Sequence, residues 1–249
     1  MRRPRIFTSQ VLDQALINQT ELALEEAPSH HLLKVLRLKQ GAELILFNGQ
    51  GGSYNAEIIH TTKKIATVSL SEFFPENKQS NLHTHMLIAV SRGERFEFAL
   101  QKACELGVTE ITPLLTQRTE VKIPKERAEK KMQSWKQLLI SSCEQNQRNI
   151  LPILNPITHL DQHLSNSAAL NDNEVRLVLH HRTHKDLSDI PTPKHVTLLI
   201  GPEGGLHNDE ITQAEDKQFS ALALGPRVLR TETAPIAALS CCQLLWGDF

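Results

Sequence analysis

The chain has 249 residues, of which 40% are hydrophobic, and its formal net charge at pH 7 is -1. This length allows one large domain or two small ones, and no apolar run approaches the roughly 20 residues that span a bilayer. The net charge excludes a protein coated with basic residues for nucleic acid, so any RNA contact must come from local clusters. Residues 1–5 are basic and lack the apolar core of a signal peptide, and we therefore expect a cytoplasmic protein.

Short β segments fill the first part of the chain. Strands are predicted at residues 42–47, 54–60 and 65–70, separated by a glycine-rich turn and a polar turn, and a short helix is predicted at 29–36. Three short strands with such turns favour a small β-barrel. The polar, proline-containing stretch that follows indicates a linker, so the predicted division is a domain at 1–74, a linker at 75–82 and a domain at 83–249.

Strand and helix patterns alternate after residue 83. Helix 94–106 carries apolar residues at a helical repeat, and Gly107 is its expected stop. The other predicted helices are 125–147, one from residue 208, and 234–246, and the predicted strands are 85–91, 108–115, 175–180, 196–200 and 220–224. Such alternation predicts an α/β fold with a mostly parallel sheet covered by helices on both faces.

Two glycine-marked loops follow the last two predicted strands. The first is Gly201, Pro202, Glu203, Gly204 and Gly205, and the second is the arginine-rich stretch 224–234. Loops at strand ends are where open α/β sheets bind ligands, so we expect one site built from both. A glycine loop alone also serves simply to turn the chain. Neither loop has the spacing of a nucleotide P-loop or of a Rossmann fingerprint, which makes kinases and dehydrogenases poor candidates.

Cysteine and histidine patterns do not indicate a metal site. Cys104, Cys143, Cys241 and Cys242 show no Cys-x-x-Cys spacing, and we expect reduced structural thiols. His180, His181 and His184 cluster without a cysteine or carboxylate at a typical ligand spacing, so no metal is predicted.

Both glycine-marked loops resemble the paired signatures of the RsmE family. These SPOUT-class enzymes methylate N3 of a uridine in the decoding region of the 16S RNA of the small ribosomal subunit. The similarity extends in order and spacing over nearly the whole chain, through residues 31–38, 47–51, 101–108, 144–145, 148–149 and 246–248. It implies a PUA-like RNA-binding barrel at 1–74 and a SPOUT-type parallel sheet whose C-terminal segment, 224–249, is threaded into a trefoil knot. It also implies a homodimer formed through the knotted domain, with helices near 96–103 and 235–246 at the interface.

The resemblance further implies S-adenosylmethionine as methyl donor, with S-adenosylhomocysteine as the product. Apolar walls suit the adenine, and main-chain groups give specificity without charge. The positions carried over as cofactor contacts are Leu179, His180, Leu199, Ile200, Gly201, Gly204, Leu224, Gly225, Leu229 and Thr231.

Methylation of uridine N3 requires removal of its proton, so a base and a stabilising cation are expected near the methyl group. Our hypothesis gives Glu232 the proton-accepting or orienting role and Arg230 the electrostatic role. The alternative is an Arg–Glu pair that only fixes the loop.

Basic residues cluster between positions 118 and 148 and at the N-terminus. The simplest interpretation of these residues is a solvated helix face, whereas the resemblance favours contact with the phosphates of 16S RNA. The candidate RNA-binding residues are Arg2, Arg3, Arg5, Arg37, Arg118, Lys122, Arg148 and Arg227.

Two other functions stay open on the sequence. One is a SPOUT methyltransferase for transfer RNA or for another ribosomal base, and the other is an RNA-binding assembly factor without turnover. The chain departs from the family's commonest residues at Pro235, in the 91–96 segment and in the 144–148 segment, but no residue assigned to chemistry is lost.

Overall fold

The computed structural model describes residues 3–179 and 190–249. The chain forms two compact units. The first unit is Met1–Gln79 with Ile140–Leu151, and the second is Ser80–Leu139 with Pro152–Phe249. The segment Ile140–Leu151, which the predicted division assigns to the second domain, thus clusters with the first.

The first unit contains a five-stranded sheet in the order β1-β3-β4-β5-β2. Its elements are β1 (Arg5–Phe7), α1 (Leu12–Ile17), β2 (Leu22–Ala23), α2 (Glu26–His30), a π-helical turn (His31–Val35), β3 (Glu43–Phe47), β4 (Ser53–Thr61) and β5 (Ala66–Phe74). Strands β1 and β3 pair in parallel, and the other pairs are antiparallel. The three predicted strands are confirmed as β3, β4 and β5, while β1, α1 and β2 were not predicted.

Buried residues that alternate with more exposed ones along the strands form the core of this unit. Leu44 and Leu46 on β3 and Ile58 on β4 are fully buried and pack with Val68 on β5. Irregular register between β4 and β5 at Asn55/Ala56 and Ile58/His60 adds local twist, as β-bulges do.

Asn149 joins the segment Ile140–Leu151 to the first unit by its main chain and its side chain. Its amide donates to the Asn77 carbonyl at 3.2 Å, its carbonyl accepts from Gly51 N at 3.2 Å, and its side-chain oxygen accepts from Arg5. Glu144 adds a bond by accepting from Phe7 N at 2.9 Å. These long-range bonds explain why the segment belongs to this unit.

The second unit contains a sheet in the order β12-β10-β11-β6-β7-β8, with β9 also pairing with β7. Its elements are β6 (His83–Ala89), α3 (Glu94–Glu105), β7 (Glu110–Leu115), α4 (Lys125–Asn146, whose last turns belong to the first unit), β8 (Ile153–Leu154), β9 (Thr158–His159), α5 (Leu160–Asn166), β10 (Glu174–Leu179), β11 (His195–Ile200), α6 (Asn208–Asp216), β12 (Ser220–Leu222) and α7 (Thr233–Trp246). All of these strand pairs are parallel, which confirms the predicted α/β class.

Helices cover both faces of this sheet. On one face, Leu160 and Leu164 of α5 and Ala214 of α6 pack against Leu87 and Leu199 of the strands. On the other face, α7 contacts β11 and α3. Burial on both faces explains the continuous apolar run of β11.

Gln243 is a polar residue in the last turn of α7. It is fully buried, donates to the Leu106 carbonyl at 2.9 Å and accepts from Ser80 Oγ at 2.9 Å. A buried amide with both functions satisfied stabilises one docking position of the helix. Among the helices of the described ranges, none combines the length and hydropathy that a membrane span requires.

Candidate cofactor site

One cavity of about 760 Å³ lies at the carboxyl ends of β10, β11 and β12. Its lining comes mainly from residues 200–206 and from residues within 222–231, so both glycine-marked loops form one site. This is the edge at which parallel sheets present ligands. We refer to residues 201–207 as the glycine wall and to residues 223–232 as the arginine wall.

Eight of the ten predicted cofactor residues line the cavity: Leu179, Ile200, Gly201, Gly204, Leu224, Gly225, Leu229 and Thr231. Leu199 is not among the lining residues, because its side chain is fully buried in the core beside Leu87. His180 lies outside the described residues. The lining therefore combines apolar side chains with exposed main chain.

Close packing inside the glycine wall requires the absence of a side chain at Gly201. A Cβ atom there would lie 3.0 Å from Leu206 N and 3.2 Å from the Gly205 carbonyl carbon, and both are backbone atoms. The turn is closed by Gly205 N, which donates to the Pro202 carbonyl at 2.8 Å. Gly201 is thus needed for the tight return of the loop.

Bonds from outside also hold the glycine wall. Arg118 Nη1 lies 2.9 Å from the Gly204 carbonyl oxygen and 3.2 Å from that of Leu206. Glu210, near the start of α6, is 4% exposed and accepts from His207 N and from Gln117 N, each at 2.8 Å. The sequence prediction missed Glu210, although a glutamate three residues after the N-cap of a helix is a recognisable capping signal.

The arginine wall is more exposed, and Val228 reaches 88% exposure. Gly225 has a φ of +81°, which glycine adopts without strain. At its end, Thr231 Oγ1 donates to Glu232 Oε2 at 3.3 Å, and the Arg230 carbonyl accepts from Thr233 N and Ala234 N, each at 2.9 Å. The wall thus leads directly into α7.

The proposed catalytic pair lies on this wall. Arg230 Nη1 is 4.0 Å from Glu232 Oε1, and the two side chains are 78% and 17% exposed. Arg230 lines the cavity, and Glu232 lies just behind it at the start of α7. An exposed cation that lines the cavity and a largely buried carboxylate at the start of α7 therefore lie side by side.

Two further arginines follow β6 in the chain. Arg95 lines the cavity, and its Nη1 lies 4.0 Å from Glu203 Oε1. Arg92 is 2.9 Å from Glu120. The sequence prediction included neither residue, because the loop after β6 carries no glycine pattern of its own.

The predicted RNA-binding residues fall into different environments. In the second unit, Arg227 lines the cavity and Lys122 is exposed. In the first unit, Arg37 is exposed at a φ of +55°, and Arg3 pairs with Glu43 at 2.7 Å. Arg2 lies outside the described residues.

Two other predicted RNA contacts lie within the fold of the first unit. Arg148 is 4% exposed and donates to Gln79 Oε1 at 2.9 Å. Arg5 bonds to Asn149, and its guanidinium carbon lies 5.2 Å from the centre of the Phe47 ring. Burial gives Arg148 a structural role here, and Arg5 is half-buried against Phe47; that either residue also contacts RNA phosphates stays a prediction.

Comparison with known proteins agrees with this architecture. The family model described as an RNA methyltransferase domain matches residues 78–243, and the one described as an RNA methyltransferase PUA domain matches residues 24–71. A curated relative from Buchnera aphidicola, named ribosomal RNA small subunit methyltransferase E, is 32% identical over 247 residues, covering 99% of this chain and 95% of the relative. The chain belongs to the RsmE family.

Solved structures extend the comparison to proteins with a bound cofactor. A Legionella pneumophila protein described as a methyltransferase, solved with bound S-adenosylmethionine, has a TM-score of 0.93 at 40% identity, with 100% of both chains covered. An RsmE structure from Neisseria gonorrhoeae, bound to S-adenosylmethionine, has a TM-score of 0.90 at 33% identity, again with 100% of both chains covered. The predicted family is confirmed, as is the N-terminal PUA domain.

Proposed function

We propose that this chain transfers a methyl group from S-adenosylmethionine to N3 of one uridine in the decoding region of 16S RNA in the small ribosomal subunit. The observation that carries the proposal is the cavity that both glycine-marked loops line, in a chain of the RsmE family. Two full-length structural neighbours hold S-adenosylmethionine, which supports the choice of cofactor.

The lining suits the parts of this cofactor. Leu179, Ile200, Leu224 and Leu229 give apolar walls for the adenine. The main chain of the glycine wall supplies donors and acceptors for the ribose and the ring nitrogens, which bind without a charged side chain. S-adenosylhomocysteine, the product, binds between the same walls.

Methyl transfer forms a bond from uridine N3 to the methyl carbon and breaks the bond from that carbon to the sulfonium sulfur. The sulfur leaves as a neutral thioether, and the N3 proton passes to a base. We assign the acceptance of that proton to Glu232 and the stabilisation of the negative uracil ring to Arg230. Arg230 Nη1 and Glu232 Oε1 lie 4.0 Å apart. Alignment of the reacting atoms by the cavity supplies a further part of the rate.

We infer that residues 224–249 form the threaded part of a trefoil knot. The helix α7 follows the edge strand β12, yet it packs on the interior strand β11 and on α3. Gln243 bonds it to Ser80 and Leu106. A domain division at 1–74, 75–82 and 83–249 belongs to the same proposal, with the segment Ile140–Leu151 packed in the first unit.

We also propose a homodimer formed through α3 and α7. Phe98 on α3 and Leu244 and Leu245 on α7 are 45%, 69% and 44% exposed. Large apolar side chains so exposed on neighbouring helices are typical of a protein interface. Light scattering of the purified protein tests this: a dimer mass supports it, and a monomer mass at micromolar concentration contradicts it.

RNA contacts in this proposal come from the exposed candidates Arg3, Arg37, Lys122 and Arg227. A cytoplasmic location follows from the substrate. Affinity for RNA should fall as salt rises, with a slope that decreases when these residues become alanine.

The deciding experiment uses radiolabelled S-adenosylmethionine and small ribosomal subunits that lack the modification. We expect label on N3 of one uridine in the decoding region. Label on another base or on transfer RNA would contradict the substrate, and tight cofactor binding without label on any RNA would favour an assembly factor.

Glu232→Gln tests the assignment of the base. Single-turnover methylation should slow by about 10²–10⁴-fold, the range typical of a lost general base. S-adenosylhomocysteine affinity serves as the control and should stay close to that of the wild type. An unchanged single-turnover rate would leave Glu232 as a residue that only fixes the loop.

A further inference from the structure

The side chain of Arg118 crosses the edge of the sheet to reach the glycine wall. Its loop follows β7, which is separated from β11 by β6. From there Nη1 reaches the carbonyl oxygens of Gly204 and Leu206 at 2.9 and 3.2 Å. The guanidinium therefore holds two points of the wall that closes the cavity.

The loop that carries Arg118 is itself fixed. Thr119 Oγ1 lies 2.9 Å from both the amide and the hydroxyl of Thr116, and Thr119 N donates to the Thr116 carbonyl at 3.1 Å. Next to Arg118, Gln117 N donates to the buried Glu210 at 2.8 Å. Arg118 thus lies in a turn whose neighbouring residues, Gln117 and Thr119, are both held by hydrogen bonds.

The aliphatic part of Arg118 also fits the wall. A Cβ atom at Gly204 would lie 3.6 Å from Arg118 Cβ and Cδ, which is ordinary packing distance. The side chain therefore packs beside Gly204 and lines the cavity together with Gly201, Gly204 and Leu206. At this position the guanidinium donates to the carbonyls of the wall itself.

We propose that Arg118 is a positioning residue for the cofactor, not an RNA contact: it holds the glycine wall in the form that receives S-adenosylmethionine. The role rests on the proposed function, since it acts on the cofactor of that same site. A wall held before binding loses less freedom when the ligand arrives, so its amides bind more tightly. Arg118 changes the affinity for the cofactor and leaves the chemical step to Arg230 and Glu232.

The test is calorimetric binding of S-adenosylhomocysteine and S-adenosylmethionine to the full-length wild type, Arg118→Ala, Arg118→Lys and Arg92→Ala. Loss of bonds from a charged donor should weaken binding by roughly tenfold or more in Arg118→Ala. Arg118→Lys should restore much of the affinity, because an ammonium donates to both carbonyls. Arg92→Ala removes an equal charge from a residue that pairs with Glu120 and does not line the cavity, and this variant should bind as the wild type does.

Kinetics separate this role from a purely structural one. In Arg118→Ala, KM for S-adenosylmethionine should rise while kcat at saturating cofactor stays within about threefold of the wild type. The salt dependence of RNA binding should keep its slope. Wild-type cofactor affinity in Arg118→Ala would overturn the proposal. A salt dependence of RNA binding whose slope falls by the equivalent of about one phosphate contact would instead make Arg118 an RNA-binding residue. Failure of the wild type to bind either cofactor would contradict the proposed function itself, whichever result the variants give.

Discussion

The two walls of the cavity are held in different ways. The glycine wall receives two bonds from Arg118 and is tied to the loop after β7 through Glu210. In residues 3–179 and 190–249, the side-chain bonds of the arginine wall are internal, between Thr231, Arg230 and Glu232. One wall is braced from outside, and the other depends on its own chain and on α7.

This difference assigns separate tasks to the walls. A braced wall presents main-chain groups in a fixed geometry, which suits recognition of one cofactor. A wall with exposed side chains such as Val228 and Arg230 loses more freedom when it closes, which suits a response to bound ligands. We therefore expect recognition at the glycine wall and closure at the arginine wall.

Removal of the Glu210 carboxylate should produce the largest loss. Glu210→Ala leaves the amides of Gln117 and His207 without their acceptor in a buried place, and each such group costs about 1–3 kcal/mol. The free energy of unfolding, measured with urea, should fall by about 2–4 kcal/mol. Glu210→Gln keeps one acceptor oxygen and should lose less. Equal losses in both variants would show that the two bonds do not brace the wall.

Acid should destabilise the whole second unit and hence both walls together. Burial lowers the pKa of His85 to about 4, although Glu110 opposes the shift, and burial also lowers the pKa of His163, whose ring lies 5.9 Å away. The unfolded chain takes up the proton near pH 6.5 and the folded chain resists until about pH 4, so stability falls as pH drops between these values. The loss should reach roughly 3 kcal/mol.

Urea unfolding between pH 7 and pH 4 measures this loss. His85→Gln should flatten the acid decline, since it removes the histidine whose pKa burial lowers to about 4. An acid decline as steep in His85→Gln as in the wild type would contradict the assignment.

Two alanine substitutions in the glycine wall should differ in cost. In Gly201→Ala the new methyl group meets backbone atoms of Leu206 and Gly205 at 3.0 and 3.2 Å, and unfolding should become easier by about 1–3 kcal/mol. In Gly204→Ala the nearest atoms belong to the Arg118 side chain at 3.6 Å, and the change should stay within about 0.5 kcal/mol. Thermal unfolding of both variants gives the comparison, and a larger loss in Gly204→Ala would contradict the described geometry.

Much of the second unit could be predicted because its pattern is local. The buried strands are continuous apolar runs, and glycines mark the loops that follow them, so β11, the glycine wall and eight residues that line the cavity could be found from the sequence. The strand β12 ends at Leu222, two residues earlier than predicted, because the chain leaves the sheet there to form the arginine wall.

The remaining features depend on contacts between distant residues. Arg148 was a candidate RNA contact because it is a basic residue in a basic cluster. Only the long-range packing of Ile140–Leu151 shows that its side chain is buried. Gln243 lies in an apolar run whose sequence does not show that Ser80 and Leu106 bond its amide. Arg118 likewise belonged to a basic cluster, and its bonds to Gly204 and Leu206 become visible only when β7 and β11 lie in one sheet.

Hydrogen exchange of the wild type, with and without S-adenosylhomocysteine, tests the contrast between the walls most directly. Mass spectrometry of peptides from residues 201–207 and 223–232 separates the two walls. We expect the glycine wall to be protected already in the free protein and the arginine wall to gain about tenfold more protection than the glycine wall when the ligand binds. Equal gains in both walls, or protection gained only by residues 201–207, would contradict this account. In it, the glycine wall is already fixed and recognises the cofactor, and the arginine wall closes when the ligand binds.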